Sequence, residues 1–163
     1  MKTTEQQNIE TVTAFIDSFW NRSDFDSTQE FLSEDYRELA YQSREGLIQF
    51  AGKILEAFPD KVYRVEEIVA QDDKVLVRMT VKGTHQGVFF GTAPTGNVID
   101  VTLYRQYRLD GGKIAEHRGW IDMVTMWSQI KGFSQGLPQR SSRTSSIRRN
   151  REQNVPYLSA RRP

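Results

Sequence analysis

The sequence predicts an α+β fold in which three N-terminal helices pack on a curved, mostly antiparallel sheet. Apolar residues recur at helical spacing in the stretch that ends at Phe58. Beyond Tyr63 the pattern changes to apolar alternation and β-branched runs, which are typical of strands. The tripeptide Asp110-Gly111-Gly112 joins the last two of these runs as a hairpin. Helices followed by hairpin-linked strands are the order expected of an α+β domain.

The helices are predicted from their apolar stripes and their caps. Residues 6–21 place six large apolar side chains on one face, namely Ile9, Val12, Phe15, Ile16, Phe19 and Trp20. Ser27 and Glu30 match a capping box and predict a second, short helix. Ser43 is the predicted N-cap of a third helix, which Pro59 ends.

Strands and one further helix fill the rest of the domain. The strands are predicted at residues 63–70, 75–81, 88–90 and 98–109, with a last one that ends at Asp122. The fourth has no Pro or Gly over twelve positions, which favours a long strand that bends across a curved sheet. Residues 123–131 are predicted to form a terminal helix, with Gly132 as its C-cap.

Composition excludes several classes of protein. The chain has 163 residues, no Cys and two His, so disulfides, thiolate metal sites and a Cys nucleophile are excluded. A metal site built on both His is not favoured, because they are not expected on one face. No apolar run has the roughly 20 residues that a membrane helix needs, and no signal-peptide core follows Met1. We therefore expect a soluble, cytoplasmic protein.

Charge is distributed unevenly along the chain. Residues from Lys131 onward carry a net charge of +7, whereas those before it carry −6. We expect two parts, a folded domain at 1–132 and a basic Ser/Arg-rich tail at 133–163. The tail has too little apolar surface to offset its backbone entropy and is predicted to be disordered. Alternatively, it binds phosphates or acidic surfaces, or residues 155–158 dock on a groove of this chain or of a partner; nucleic acid is the disfavoured partner.

One stretch and the hairpin after it carry a resemblance to a known family. The matching positions are Thr84, His85, Gly87, Phe89, Gly91, Pro94-Thr95-Gly96, Gly112-Lys113-Ile114, Glu116-His117 and Asp122. At this spacing, residues 5–132 resemble the SnoaL-like polyketide cyclases. The resemblance implies the cone-shaped fold shared with ketosteroid isomerases and nuclear transport factor 2. It also implies an enclosed cavity, a small apolar carbonyl substrate, no cofactor, no metal and a homodimer.

The same resemblance nominates three catalytic residues. Asp122 matches the family's acid/base residue, which takes a proton from an acidic carbon and returns it when the ring closes. Gln106 and Arg108 match the Gln and His of the family's long strand, and both can stabilise an enolate if they point inward. The alternative for Asp122 is structural: its carboxylate caps the helix that begins at Met123 or pairs with Arg118.

Further residues are candidates for substrate binding. They are Trp120, Arg118, Tyr104, His85, Phe19 and Phe89. Strand alternation groups Arg118 with Trp120 and Asp122, and Tyr104 with Gln106 and Arg108. For His85 the favoured role is a hydrogen bond to the turn at residues 94–96, and His117 is expected to be structural or interfacial.

One segment departs from the family pattern. Relatives place a neutral polar side chain facing the cavity near the end of residues 34–41, where this chain has Arg37, Glu38 or Leu39. We predict an intramolecular aldol-type cyclase or an isomerase that acts on a polyketide or terpenoid carbonyl compound. The alternatives are a non-catalytic small-molecule-binding or dimerisation module and an epoxide hydrolase that uses Asp100, Arg118 and Asp122.

Overall fold

The computed structural model describes residues 1–132, which form four helices and one five-stranded sheet. The helices are α1 (Thr4–Phe15), which continues as a π-helical segment (Ile16–Asn21), then α2 (Ser27–Phe31), α3 (Arg44–Ala57) and α4 (Met123–Lys131). The three N-terminal helices are therefore confirmed. The predicted tail at 133–163 lies outside the described residues.

Local side-chain bonds explain where the helices begin. Thr3 and Gln6 form a capping box at α1, and the Ser43 hydroxyl accepts a hydrogen bond from the Gly46 amide at α3. The predicted capping box at α2 is wrong, because the Ser27 hydroxyl donates to the Asp24 carbonyl instead of accepting from the helix. Gly132 closes α4 in the left-handed conformation, with φ of 72°, as predicted.

The sheet is mixed. Its strands are β1 (Leu32–Glu38), β2 (Val62–Gln71), β3 (Lys74–Thr84), β4 (Val98–Asp110) and β5 (Lys113–Ile121), in the order β1-β5-β4-β3-β2. All neighbours are antiparallel except β1 and β5, which run parallel. The sequence pattern did not predict β1. The predicted strand at 88–90 is a tight turn, in which Phe89 and Thr92 form an isolated bridge.

The two faces of the sheet have different surroundings. The inner face packs against the helices, and its buried apolar residues on β3 and β4 are Val75, Val77, Met79, Val81, Ile99, Val101, Leu103, Tyr107 and Leu109. The outer face of these strands is solvent-exposed or half-exposed. Within residues 1–132 no helix is both long and apolar enough to cross a membrane.

Candidate functional site

A buried arginine interrupts the apolar inner face of β4. Ile99, Val101 and Leu103 alternate toward the core, and Arg105 follows them at the next inward position with 2% of its surface exposed. Gly119 lies opposite it on β5. An ideal Cβ built on Gly119 would approach Arg105 Nη1 to 3.2 Å. The missing side chain at this position therefore leaves the space next to the guanidinium open.

Arg105 belongs to a linear hydrogen-bonded group with His117 and Glu38. Its Nη1 lies 3.1 Å from His117 Nε2, and His117 Nδ1 lies 2.8 Å from Glu38 Oε2. The parallel register pairs Glu38 with His117, and β4 places Arg105 diagonally across from the same histidine. We call these three residues the relay. Residues from three strands meet in it, and all three are buried.

The hydrogen bonds fix the tautomer and the charge of His117. A guanidinium can only donate, so His117 Nε2 must be the acceptor, and the ring proton lies on Nδ1 and is donated to Glu38. Burial and the charge on Arg105 both lower the pKa of His117, whereas the bond to Glu38 raises it. The net effect is a pKa below the ordinary value. His117 is therefore held as a neutral imidazole whose basic nitrogen faces Arg105.

Glu38 is ionised although its side chain is fully buried. Burial alone would raise the pKa of Glu38, but the hydrogen bonds from His117 and Tyr36 outweigh burial and lower it. The backbone amides of Ala40 and Tyr41 also donate to Oε1. These four donors stabilise the negative charge at the end of β1.

Aromatic side chains surround the guanidinium of Arg105. Its Cζ lies 3.6 Å from the centroid of the Trp20 ring, a close cation–π contact. Burial disfavours the charge, but the nearby phenols of Tyr41, Tyr107 and Tyr63 outweigh burial and raise the pKa of Arg105 further. Among residues 1–132, no hydrogen-bond partner is found for Arg105 Nε or for the buried Tyr107 hydroxyl. Of these two residues, Arg105 lines the internal cavity.

Arg105 lines a small cavity inside the cone. Its volume of about 10 Å³ is enough for roughly one water molecule. Gly119 and the stacked pair Tyr41 and Phe50, whose ring centroids are 4.4 Å apart, line it together with apolar residues. Both rings of that pair are only partly buried. A ligand larger than water has to displace neighbouring side chains to enter.

Comparison with known proteins agrees with this architecture. The family model of SnoaL-like polyketide cyclases matches residues 10–130. This chain belongs to the SnoaL-like polyketide cyclase family. None of the curated protein sequences matches it. Membership supports a polyketide cyclase-type function without defining the reaction.

Several solved structures resemble the chain over most of its length. A protein from Jannaschia sp. CCS1 assigned as a SnoaL-like polyketide cyclase is 27% identical, with a TM-score of 0.72 over 80% of this chain and 95% of that one. IdmH from Streptomyces antibioticus, assigned as a polyketide cyclase, is 28% identical, with a TM-score of 0.70 over 77% and 99%. AclR from Streptomyces galilaeus, assigned as a hydroxylase, is 28% identical, with a TM-score of 0.74 over 83% and 87%. Solved structures similar to this chain thus carry different assigned activities.

The three nominated catalytic residues are not brought together at the cavity. The Asp122 side chain is exposed at the N-terminus of α4, where Oδ1 accepts from the Thr125 amide at 3.0 Å and Oδ2 from its hydroxyl at 2.6 Å. These bonds lower the pKa of Asp122. Gln106 and Arg108 lie on the outer face, and Arg108 pairs with Glu116 at 3.2 Å. The inward orientation that their predicted roles require is absent here, and those roles stay predictions.

The nominated binding residues divide between the two faces. Arg118 and Tyr104 are exposed on the outer face, and Trp120 is half-exposed there although it also lines the cavity. Phe19 and Phe89 are buried in the core. The alternation that grouped these outer residues by strand is confirmed, but the shared face is the outer one.

His85 bonds to the turn, as the favoured interpretation expected. Its Nδ1 accepts from the Thr95 amide at 3.2 Å, so its proton is on Nε2, which has no partner among the described residues. Burial lowers the pKa of His85. Its contacts are those of a residue that anchors the loop after β3.

Sequence reasoning assigned no catalytic role to any member of the relay, although a signal for Arg105 exists. Arg105 is the one charged residue in the alternating series from Ile99 to Leu109, which marks it as an inward charge. Glu38 was one of three residues considered near the end of residues 34–41, and it is the buried one of the three. His117 was assigned a structural role, because its contact with Glu38, 79 positions away, leaves no local pattern.

Proposed function

We propose that this protein is a cofactor-independent acid/base enzyme that closes a ring by intramolecular aldol-type addition in a polyketide or terpenoid carbonyl compound. The observation that carries this proposal is the buried Glu38–His117–Arg105 relay beside an apolar cavity. A neutral imidazole held by a carboxylate is a common form of general base. A guanidinium in a dry site stabilises negative charge that develops on a substrate oxygen.

The chemistry assigns one role to each residue. In the substrate complex, Arg105 donates to the carbonyl oxygen of the substrate and His117 Nε2 becomes free. His117 then takes a proton from the carbon next to that carbonyl, which leaves an enolate paired with Arg105. The enolate carbon attacks a second carbonyl of the same molecule, and the resulting alkoxide recovers the proton from His117. Glu38 stabilises the imidazolium between these two steps.

Exchange of carbon-bound protons tests this assignment without knowledge of the natural substrate. The full chain is incubated with 2-tetralone in D₂O, and loss of the α-proton signals is followed by ¹H NMR. We expect His117→Gln and Glu38→Gln to lower the exchange rate by about 10²-fold or more, the usual contribution of a general base. Glu67→Gln, the same change at an exposed carboxylate of β2, should keep the wild-type rate.

The Asp122→Asn variant decides between the two candidate bases. The relay assignment expects exchange to persist in this variant, because the carboxylate of Asp122 lies outside the cavity. Loss of exchange in Asp122→Asn together with full activity in His117→Gln would transfer the role to Asp122 and reject the relay. Thermal unfolding of each variant separates a lost base from a lost fold.

A second candidate function is a non-catalytic small-molecule-binding module. It is favoured by the position of Asp122, the residue that matches the family's acid/base, because its carboxylate caps α4 outside the cavity. A module of this kind should bind 2-tetralone without accelerating its proton exchange. The wild-type exchange rate therefore separates the two candidates.

A further inference from the structure

The positive charge of Arg105 has no carboxylate in direct contact among the described residues. Glu38 is the acid of the relay, and it reaches the guanidinium only through neutral His117. The Glu38 oxygens are already occupied by donors from Tyr36, Ala40, Tyr41 and His117. The guanidinium is thus a buried cation with an indirect counter-charge.

Such a cation favours a guest of opposite charge. Removing an ion from water is costly unless direct partners replace the lost hydration. The Trp20 face offsets part of this cost, but Nε has no hydrogen-bond partner within residues 1–132. An anionic oxygen at Nε would supply both the missing acceptor and the missing charge. A neutral ester oxygen would supply only the acceptor.

We propose that the Arg105 cavity selects a monoanionic oxygen group, either a carboxylate or an enolate, on its carbonyl ligand. This inference rests on the proposed function, since it concerns the same cavity. The planar fork of a guanidinium matches two oxygens that share one negative charge. The substrate class is therefore an acidic carbonyl compound that either carries a carboxylate or loses its α-proton to His117, and Arg105 pairs with the resulting anion.

Gly119 controls the space in which this anion binds. A Cβ at that position would lie 3.2 Å from Arg105 Nη1 and 3.5 Å from His117 Nε2. A methyl group there would fill the side of the guanidinium that the cavity leaves open, without removing its charge. We therefore expect a side chain at position 119 to hinder an anion at the guanidinium.

Two small probes test the proposal on the full chain. Sodium formate represents the carboxylate, and its binding is followed by saturation-transfer NMR against sodium chloride at equal ionic strength. Pentane-2,4-dione represents the enolate, whose ultraviolet absorption should increase at fixed pH when bound, because a nearby cation favours the charged form. We expect Arg105→Met to weaken binding of the recognised anion by about tenfold or more, as for a lost charge-assisted hydrogen bond.

Two variants, Arg105→Met and Gly119→Ala, separate a loss of anion binding from a loss of the fold. Arg105→Met removes only the cation and leaves the buried Glu38 carboxylate without its counter-charge, which costs stability. Thermal unfolding therefore confirms that this variant is folded before its binding is measured. Gly119→Ala retains the cation and should still lose binding. A response to formate alone or to the dione alone supports the proposal and identifies the anion. Absence of both responses, or equal binding by wild type and Arg105→Met, overturns it.

This result is separable from that of the proton-exchange experiment. Anion binding has no turnover in its readout, whereas exchange of 2-tetralone involves a neutral ketone. Exchange that depends on His117 without anion binding would overturn only the present inference. Anion binding without such exchange would overturn only the proposed base.

Discussion

His117 has one hydrogen bond to an anion and one to a cation, and this combination controls its charge. Protonation of Nε2 would place a second positive charge 3.1 Å from Arg105 Nη1 and remove the acceptor that Arg105 uses. Glu38 makes the imidazole more basic, but burial and Arg105 prevail, so the pKa of His117 stays below its ordinary value. His117 therefore stays unprotonated to a lower pH than an ordinary histidine does.

The depressed pKa of His117 predicts that stability depends on pH. A residue whose pKa is lower in the folded state takes up protons on unfolding, so its contribution is complete above the ordinary value of 6.5 and is lost as pH falls toward the folded-state pKa. Burial also lowers the pKa of His85, so its contribution to stability is lost in the same direction. The pKa of Glu38 is also below its ordinary value of 4.5, so its contribution to stability is lost as the pH falls below that value. We expect the free energy of unfolding in urea to decrease as pH falls from about 7 to 5.

Two histidine variants show whether His117 and His85 cause this decrease in stability. His117→Gln and His85→Gln should each reduce the slope of stability against pH, whatever their effect on stability at pH 7. The double variant should have almost no slope above pH 5. A wild-type slope in the double variant would show that neither histidine has the depressed pKa inferred from its contacts.

At the scale of elements, α4 depends on Asp122 for its start. The Thr125 amide and hydroxyl both donate to this carboxylate, which also lies at the positive end of the helix dipole. We expect Asp122→Ala to lower the melting temperature by a few degrees, because it removes the N-cap. Asp122→Asn should lower it less, since the amide oxygen still accepts a hydrogen bond.

The cap variants also bear on catalysis. Asp122→Ala and Asp122→Asn should have similar proton-exchange rates below their melting temperatures if Asp122 serves only as a cap. A melting temperature that is unchanged in Asp122→Ala would contradict the capping role, and circular dichroism measures it directly.

The elements that the sequence predicted well are those with a strong local pattern. Apolar alternation identified β3, and a β-branched run without Pro or Gly identified β4. The Ser43 cap located the start of α3, and Gly132 located the end of α4. In contrast, only Leu32 and Glu38 of β1 are buried, so this strand has no periodic apolar signal. Its strand structure depends on backbone pairing with β5, which lies about 80 positions away.

The site was less predictable than the fold for a related reason. Alternation shows which residues share a face but does not show which face is inner when both contain charges. The family resemblance nominated Gln106 and Arg108, which lie on the outer face of β4. The inner face of this strand consists of apolar residues and Arg105. Buried arginines are rare, so such an interruption of an apolar series is a strong indication of function.

At the scale of the whole molecule, the outer face of the sheet carries an apolar stripe of Val69, Leu76, Tyr104 and Trp120. These side chains are 52%, 40%, 43% and 53% exposed. Val69 lies opposite Leu76, and Tyr104 lies opposite Trp120. Charged residues of both signs border the stripe, including the pairs Arg78–Glu67 and Arg108–Glu116. A surface of mixed charge around apolar residues can be complementary to itself.

We propose that two copies of the chain pair through this stripe as a homodimer, and Trp120→Glu tests the pairing. Large aromatic residues near the centre of an interface often contribute about 2 kcal/mol or more, so this variant should weaken dimerisation by about thirtyfold or more. Val124→Glu is the matched control, because Val124 is 76% exposed on α4 rather than on the sheet. Sedimentation equilibrium should give a dimer for wild type and Val124→Glu and a monomer for Trp120→Glu. A wild-type monomer, or a Trp120→Glu variant that remains dimeric, would reject the stripe as the interface.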